Sequence, residues 1–318
     1  MTTTSLTATI ATTMSSKQPT LIVIVGPTGS GKTSLAVTLA RHYSAPIIST
    51  DSRQFYRGLP IGTAQPTAEE LSLAEHHFIA DREVDDDFNS GRYEQEALAR
   101  LDELFKRHDV VVAVGGSGLY IQALCEGMDN LPEANDELRQ SLKQRLESEG
   151  VEPLFEELRR LDPAYAEVVD RHNPTRIMRA LEVCITSGKP YSHQRKGERQ
   201  RRPFRIVKIG TDLPRDVLYE RINLRVDMMI SEGLEAEARA MLPKRELNSL
   251  QTVGYREMFD YFDGNSSLDE AIELIKRNSR RYAKRQMTWF RRDAEIAWFS
   301  PHDIEPIISH IDTKILQN

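Results

Sequence analysis

Apolar positions along this chain change period several times, and the changes divide it. Leu21-Ile22-Val23-Ile24-Val25 is an unbroken apolar run, the pattern of a short strand buried on both faces. Val110-Val111-Val112-Ala113-Val114 repeats it, Pro46-Ile47-Ile48-Ser49-Thr50 reads as another short strand, and residues 205–210 give a fourth. Between the strands the period lengthens to that of a helix, at residues 34–42 and 94–106. Strands alternating with helices predict an α/β fold with a parallel sheet, whose ligands lie beyond the carboxyl ends of the strands. The first three strands run into Gly26-Pro27, Asp51-Ser52-Arg53-Gln54 and Gly115-Gly116-Ser117-Gly118. A parallel sheet brings three such loops to one crevice.

From residue 130 to 192 the pattern is purely helical, as in 136–149, 151–161 and 173–186. This predicts an inserted all-helical subdomain. The core is then assigned to residues 21–129 and 193–300, with C-terminal helices at 218–242 and 268–292. Residues 301–318 read as a weak tail. Residues 1–20 are rich in Thr and Ser and lack both an apolar segment and arginines. They read as a disordered leader rather than a secretory signal, with Met14 as an alternative start to Met1.

The first strand opens into Gly26-Pro27-Thr28-Gly29-Ser30-Gly31-Lys32-Thr33. This is the phosphate-binding pattern G-x-x-x-x-G-K-[ST] with a strand before it and an amphipathic segment after it, so the core is P-loop NTPase-like. The glycines let successive N–H groups curl around an anion, and the following helix points its positive end there. Lys32 adds a mobile charge, and the Thr33 hydroxyl is placed to ligate Mg²⁺. The pattern specifies a polyphosphate or pyrophosphate without saying which.

Asp51 follows the second strand. On residue type it is equally a magnesium ligand, a cap for the next segment or a general base. The polar and aromatic run Ser52-Arg53-Gln54-Phe55-Tyr56 adds groups that can read or stack on a base. Arg221 and Arg225 lie one helical turn apart, able to clamp a leaving pyrophosphate or to pair with Glu220 and Asp227. His76-His77 lacks companion ligands at metal spacing, which favours a hydrogen-bonding role.

The formal net charge is −6, yet the basic residues are clustered. One run covers Arg195, Lys196, Arg199, Arg201, Arg202, Arg205 and Lys208. A second, residues 276–292, contains no acid and places Arg277, Arg281, Lys284 and Arg285 near one helical face beside Tyr282. Two such runs favour a polyanionic partner. Cys125 and Cys184 sit in apolar segments, as reduced core thiols do. No apolar stretch approaches the roughly 20 residues a membrane helix needs, so a cytoplasmic protein is expected.

In order along the chain, the phosphate loop, Asp51-Ser52-Arg53-Gln54-Phe55-Tyr56, Ile61-Gly62-Thr63-Ala64, His76-His77 and Val114-Gly115-Gly116-Ser117-Gly118-Leu119-Tyr120 resemble the tRNA dimethylallyltransferase family. Arg176, Arg179-Ala180-Leu181-Glu182-Val183, Gly254-Tyr255-Arg256-Glu257 and Tyr282-Ala283-Lys284-Arg285-Gln286 continue the resemblance. It implies transfer of a dimethylallyl group from dimethylallyl diphosphate to N6 of the adenosine immediately 3′ of the anticodon, in tRNAs reading codons that begin with U, with release of diphosphate. By the resemblance, the phosphate loop and Arg221 hold the donor, Asp51 accepts the N6 proton, and Ser117 (commonly Thr in the family) bonds near the reacting centre. Arg225, Lys32 and Thr33 with Mg²⁺ neutralise the leaving group.

The tRNA would meet Asp51, Ser52, Arg53, Gln54, Ser117, Arg139, Thr175, Arg176, Ile177, Met178 and Arg179. Further contacts would come from Glu246, Leu247, Asn248, Ser249, Leu250 and Gln251, and from Ser279, Arg280, Arg281, Tyr282, Ala283, Lys284, Arg285 and Gln286. The helical insertion would close over the anticodon loop. The absence of a Cys₂His₂ finger resembles bacterial members, and a monomer is expected. The rival readings are an adenylate isopentenyltransferase acting on free AMP, ADP or ATP, a kinase, and a non-catalytic RNA-binding module. The basic helix and full insertion disfavour the first, and the joint presence of Lys32, Thr33 and Asp51 disfavours the last.

Overall fold

The computed structural model describes residues 18–129, 131–132 and 135–317. The leader expected over 1–20 lies outside these residues up to position 17. Thr20 already belongs to the first strand.

The elements run β1 (Thr20–Val25), α1 (Lys32–Tyr43), β2 (Ile47–Ser49), α2 (Ala68–Leu73), β3 (His76–His77), α3 (Ser90–Leu104), β4 (Val110–Gly115) and α4 (Gly118–Glu126). Then come α5 (Asp136–Glu149), α6 (Val151–Leu161), α7 (Pro163–Ala166), α8 (Pro174–Ser187) and α9 (Tyr191–Gln194). The chain returns through β5 (Arg205–Thr211) to α10 (Arg215–Glu232), α11 (Leu234–Met241), α12 (Tyr255–Phe262), α13 (Leu268–Phe290), β6 (Ala297–Phe299) and α14 (Ile304–Leu316).

Contacts divide the described residues into two compact units, a larger one of residues up to 125 with those from 202 on, and a smaller one within 126–201. In the larger unit the strands form a parallel sheet in the order β3-β2-β4-β1-β5-β6. β1 is central, which explains its unbroken apolar run. Leu21, Val23 and Val25 face a layer built on Tyr93, Leu101 and Leu124. Ile22 and Ile24 face the opposite layer of Leu35, Leu39, Ile307 and Ile311. The sheet is thus covered on both faces, as parallel sheets require.

Three sequence expectations need correction here. The tail after Ser300 is helix α14, whose Ile307 and Ile311 are fully buried against the sheet. Its apolar spacing (304, 307, 308, 311, 315) was helical all along. The helix expected over 218–242 breaks at Gly233, whose φ of 105° ends α10 in the left-handed region. Two edge strands were missed. β3 is the polar pair His76-His77, and β6 is only half-buried, so neither carries the apolar run of an inner strand.

The smaller unit is all-helical around Leu142, Leu154, Leu158, Ile177 and Leu181. It extends past the expected 130–192 because its ends are tied together. Asp129 accepts from Lys196 N (3.1 Å) and Gly197 N (3.0 Å), and Gln200 N donates to Glu126 O at 2.7 Å. No helix among the described residues is long and apolar enough to cross a membrane.

Candidate active site

A cleft of about 340 Å³ opens at the carboxyl ends of the strands in the larger unit. It gathers Thr28, Lys32 and Thr33 from the phosphate loop, residues 51–54 after β2, and Arg225 from α10. Gln251, Ser279, Tyr282, Arg285 and Gln286 also line it. Asp51 is the sole carboxylate among the lining residues, against the cations Lys32, Arg53, Arg225, Arg256 and Arg285. Such a cleft selects an anion. Ala36, Ile47, Ile79 and Val114 give the same cleft an apolar part.

The phosphate loop keeps its anion-binding form. Helix α1 begins at Lys32 with no side-chain cap and no acid in its first turn, so its leading N–H groups face the loop. Gly31 has φ 87°, a conformation that suits glycine. Ser30 Oγ meets Thr211 Oγ1 at 2.6 Å and donates to Pro27 O at 2.8 Å, which anchors the loop on the end of β5. Lys32 Nζ donates to Pro27 O at 2.6 Å. Burial pushes the Lys32 ammonium down to about 8, with the Asp51 carboxylate opposing and the Arg225 cation adding to the fall. Burial likewise lowers Arg225, again opposed by Asp51. Two desolvated cations and one carboxylate therefore share the site.

Asp51 caps its own turn. Its Oδ1 accepts from Arg53 N at 3.1 Å, while its N–H donates to Ser49 Oγ at 3.2 Å. Its other carboxylate oxygen takes no hydrogen bond among the described residues. Ser117 is buried, and its hydroxyl accepts from Ser52 N (2.9 Å) and donates to Ser52 Oγ (3.0 Å). It therefore fixes the turn that carries Asp51. The Tyr282 phenol is pushed up to about 12, first by burial and then by the Asp51 charge.

The base-reading groups expected after Asp51 are engaged inside the protein. Arg53 Nη1 donates to Asn248 O at 2.7 Å, and Gln54 Nε2 donates to Ala64 O at 2.8 Å. Arg225 also reaches Ala64 O, at 3.4 Å. Of the two partners that could have neutralised Arg221 and Arg225, Asp227 is taken by Lys276 at 2.8 Å. Arg221 lies beside Gly31 without lining the cleft.

Gly62, Thr63 and Ala64, in the segment 61–64 that carried part of the resemblance, form one wall of the cleft. Glu237 of α11 holds them, accepting from Ile61 N (2.9 Å), Gly62 N (2.8 Å) and the Tyr255 hydroxyl (2.6 Å). No local signal in the sequence marks Glu237. His76 Nδ1 lies 2.8 Å from Ala74 O, in the hydrogen-bonding role expected, and the ring lines the cleft.

Several expected tRNA contacts are core residues. Ile177, Leu250 and Ala283 are fully buried, and Ser249 Oγ donates to Val84 O at 2.6 Å. Their side chains cannot meet a nucleic acid. In the smaller unit Arg139 and Arg179 both pair with the buried Glu182, at 3.1 and 3.0 Å, while Thr175 and Arg176 are exposed. Met178 packs on that unit's core. In the larger unit Glu246 and Leu247 lie outside the cleft lining, and Leu247 packs beside Leu250.

The first basic run is partly structural. Arg202 is buried against Glu94 (2.7 Å), and Lys208 against Asp293 (2.6 Å) and Glu295 (2.9 Å). In the second, Lys276 is paired, Arg280 bonds Asn223 at 2.5 Å, and Arg291 meets Asp212. Arg277, Arg281, Lys284 and Arg285 are exposed and make no ion pair among the described residues.

The family model described as IPP transferase matches residues 54–293. Among curated relatives, a tRNA dimethylallyltransferase 1 of Bacteroides thetaiotaomicron is 49% identical over 293 residues, 92% of this chain and 95% of its own. The tRNA dimethylallyltransferase of Cytophaga hutchinsonii is 48% identical over 295 residues, covering 93% and 97%. The crystal structure of the full-length tRNA isopentenylpyrophosphate transferase from Bacillus halodurans superposes with a TM-score of 0.69 at 39% identity, over 94% of this chain and 97% of that one. With the phosphate loop, Asp51 and the cationic cleft at the carboxyl end of one sheet, and with relatives matched over nearly their whole lengths, the chain belongs to the IPP transferase family.

Proposed function

We propose that this chain transfers a dimethylallyl group from dimethylallyl diphosphate to N6 of an adenosine in tRNA, and that residues 26–33 hold the diphosphate that becomes the leaving group. The observation that carries this reading is the composition of the cleft. One carboxylate, Asp51, stands beside Lys32 and Arg225 at the mouth of a phosphate loop, with apolar side chains in the same space. A diphosphate carrying a short hydrocarbon fills both.

N6 of adenine is a poor nucleophile because its lone pair is delocalised into the ring. A positioned base and a stabilised leaving group therefore do most of the chemistry. N6 attacks C1 of the dimethylallyl group, the C1–O bond to diphosphate breaks, and the N6 proton passes to Asp51. Lys32 and Arg225 take up the charge that develops on the departing oxygen. Their low solvation strengthens this interaction relative to water.

No cluster of three or more His, Cys, Asp or Glu side chains suited to a metal occurs among the described residues. Thr33 lines the cleft, and its hydroxyl is an oxygen donor of the hard kind Mg²⁺ prefers, an ion commonly held by one or two protein oxygens together with substrate phosphates. Thr33 would hold it there, and it would supply further charge for the diphosphate. The exposed cations of α13 (Arg277, Arg281, Lys284 and Arg285) would meet tRNA phosphates. We further propose that the protein works as a cytoplasmic monomer.

The test is transfer of label from radiolabelled dimethylallyl diphosphate with Mg²⁺ to unmodified tRNA or, separately, to AMP. Label in tRNA, recovered after digestion as N6-isopentenyladenosine, is the expected result. Label in AMP alone would assign the chain to the free-nucleotide branch, which the tRNA-named relatives do not favour.

A further inference from the structure

Gln286 falls within the segment whose resemblance implied tRNA contact, yet its side chain is directed inward. It lies on the buried face of α13 and is only 6% exposed. Its Oε1 accepts from Thr28 N at 2.9 Å, and its Nε2 donates to Gly116 O at 2.9 Å. A main-chain N–H only donates and a carbonyl only accepts, so these partners fix the amide orientation. A Cβ at Gly116 would stand 2.2 Å from Gln286 Nε2, so glycine at that place is what admits the amide.

We infer that Gln286 is a positioning residue for the donor: its amide joins the phosphate loop at Thr28 to the Gly116 turn that carries Ser117. The inference rests on the reading of residues 26–33 as the diphosphate site. The loop has two braces. Thr211 holds Ser30 from the end of β5, and Gln286 holds Thr28 from α13. Anion binding by successive N–H groups depends on their directions being set before the ligand arrives. Without the amide, Thr28 N and Gly116 O lose their partners and the loop is free to settle around the Lys32–Pro27 contact. Helix α13 thus has two duties. Its exposed side presents Arg281, Lys284 and Arg285, and its buried side braces the donor loop.

Two variants of the full chain test this. Gln286→Met keeps the length of the side chain and removes both hydrogen bonds. Gln286→Glu can still accept from Thr28 N, but it cannot donate to Gly116 O when ionised, and it adds a negative charge beside the loop. Calorimetry would measure binding of inorganic pyrophosphate with Mg²⁺ and, separately, of an unmodified anticodon stem-loop, alongside the melting temperature. The expected result is a fall in pyrophosphate affinity of about tenfold for Gln286→Met and a larger fall for Gln286→Glu, with stem-loop affinity held within about twofold. Loss of stem-loop binding with pyrophosphate affinity intact would make Gln286 an RNA contact and overturn the inference. Equal loss of both, or loss of neither, would overturn it too. Pyrophosphate binding needs no turnover. A wild-type protein that binds pyrophosphate but transfers no label would therefore count against the transferase reading alone.

Discussion

Asp51→Asn isolates the proton-accepting role from the structural one. Asn keeps an Oδ1 able to accept from Arg53 N, and the backbone bond to Ser49 Oγ is untouched. The turn should therefore stay in place. What goes is the sole carboxylate lining the cleft, and no neighbouring acid can replace it. A positioned general base contributes about 10²–10⁴ in rate, or roughly 3–5 kcal/mol of barrier. Turnover should fall by that factor. The donor KM at pH 7 should not rise, because a negative charge is removed from beside the diphosphate. A second consequence follows from Lys32. Asp51 is the charge that holds the Lys32 ammonium up against burial. In the variant it titrates lower still, and the loss of donor affinity with rising pH should begin earlier. The assay is steady-state transfer to an anticodon stem-loop across pH, with melting curves as a fold control. Turnover within about tenfold of wild type, or a defect confined to donor KM, would refute the base assignment.

Three further outcomes are expected. In the wild-type protein, Lys32 is charged below its depressed value of about 8 and loses its proton as pH rises through it. kcat/KM for the donor should therefore be level about a unit or more below that value, fall to about half near pH 8 and keep declining above it, and a decline first appearing near the ordinary lysine range would contradict the burial argument. Glu237→Ala orphans Ile61 N, Gly62 N and the Tyr255 hydroxyl. A loss of about 3 kcal/mol, or roughly 6–12 °C in Tm, is expected, and a melting curve unmoved by the change would show the clamp to be incidental. Arg281→Ala combined with Lys284→Ala removes two exposed, unpaired cations. The slope of log K against log salt for stem-loop binding should flatten by about 1.4, and an unaltered slope would take α13 out of the RNA-binding surface.

Much of this architecture was legible in the chain because the central strands β1 and β4 are nearly continuous apolar runs, the pattern of a sheet covered on both faces. The edge strands were not legible, since His76-His77 and Ala297–Phe299 need no such run. Helix α14 was legible and overlooked, as its isoleucines recur at helical spacing. At the site, the phosphate loop and Asp51 declared themselves through a strand, a glycine-rich turn and a helix in succession. Charge runs were less informative. Lys208 and Arg202 look like solvated cations in sequence, yet tertiary pairing buries them against acids that lie far away along the chain. Ile177, Leu250 and Ala283 show the same limit from the other side, because a contiguous family segment on a helix turns only some of its residues outward. Glu237 and Gln286 act on main-chain atoms more than 150 positions away, a relation that no local pattern encodes.

The central claim is that diphosphate and adenine N6 meet between the phosphate loop and Asp51. It is tested most directly by a crystal structure with an anticodon stem-loop and an unreactive thio-analogue of dimethylallyl diphosphate. The diphosphate is expected on the loop N–H groups and Lys32, with N6 of the unstacked adenosine within about 3.2 Å of an Asp51 carboxylate oxygen or one water away. A nucleoside phosphate on the loop, or N6 held away from Asp51 with the analogue in place, would contradict it.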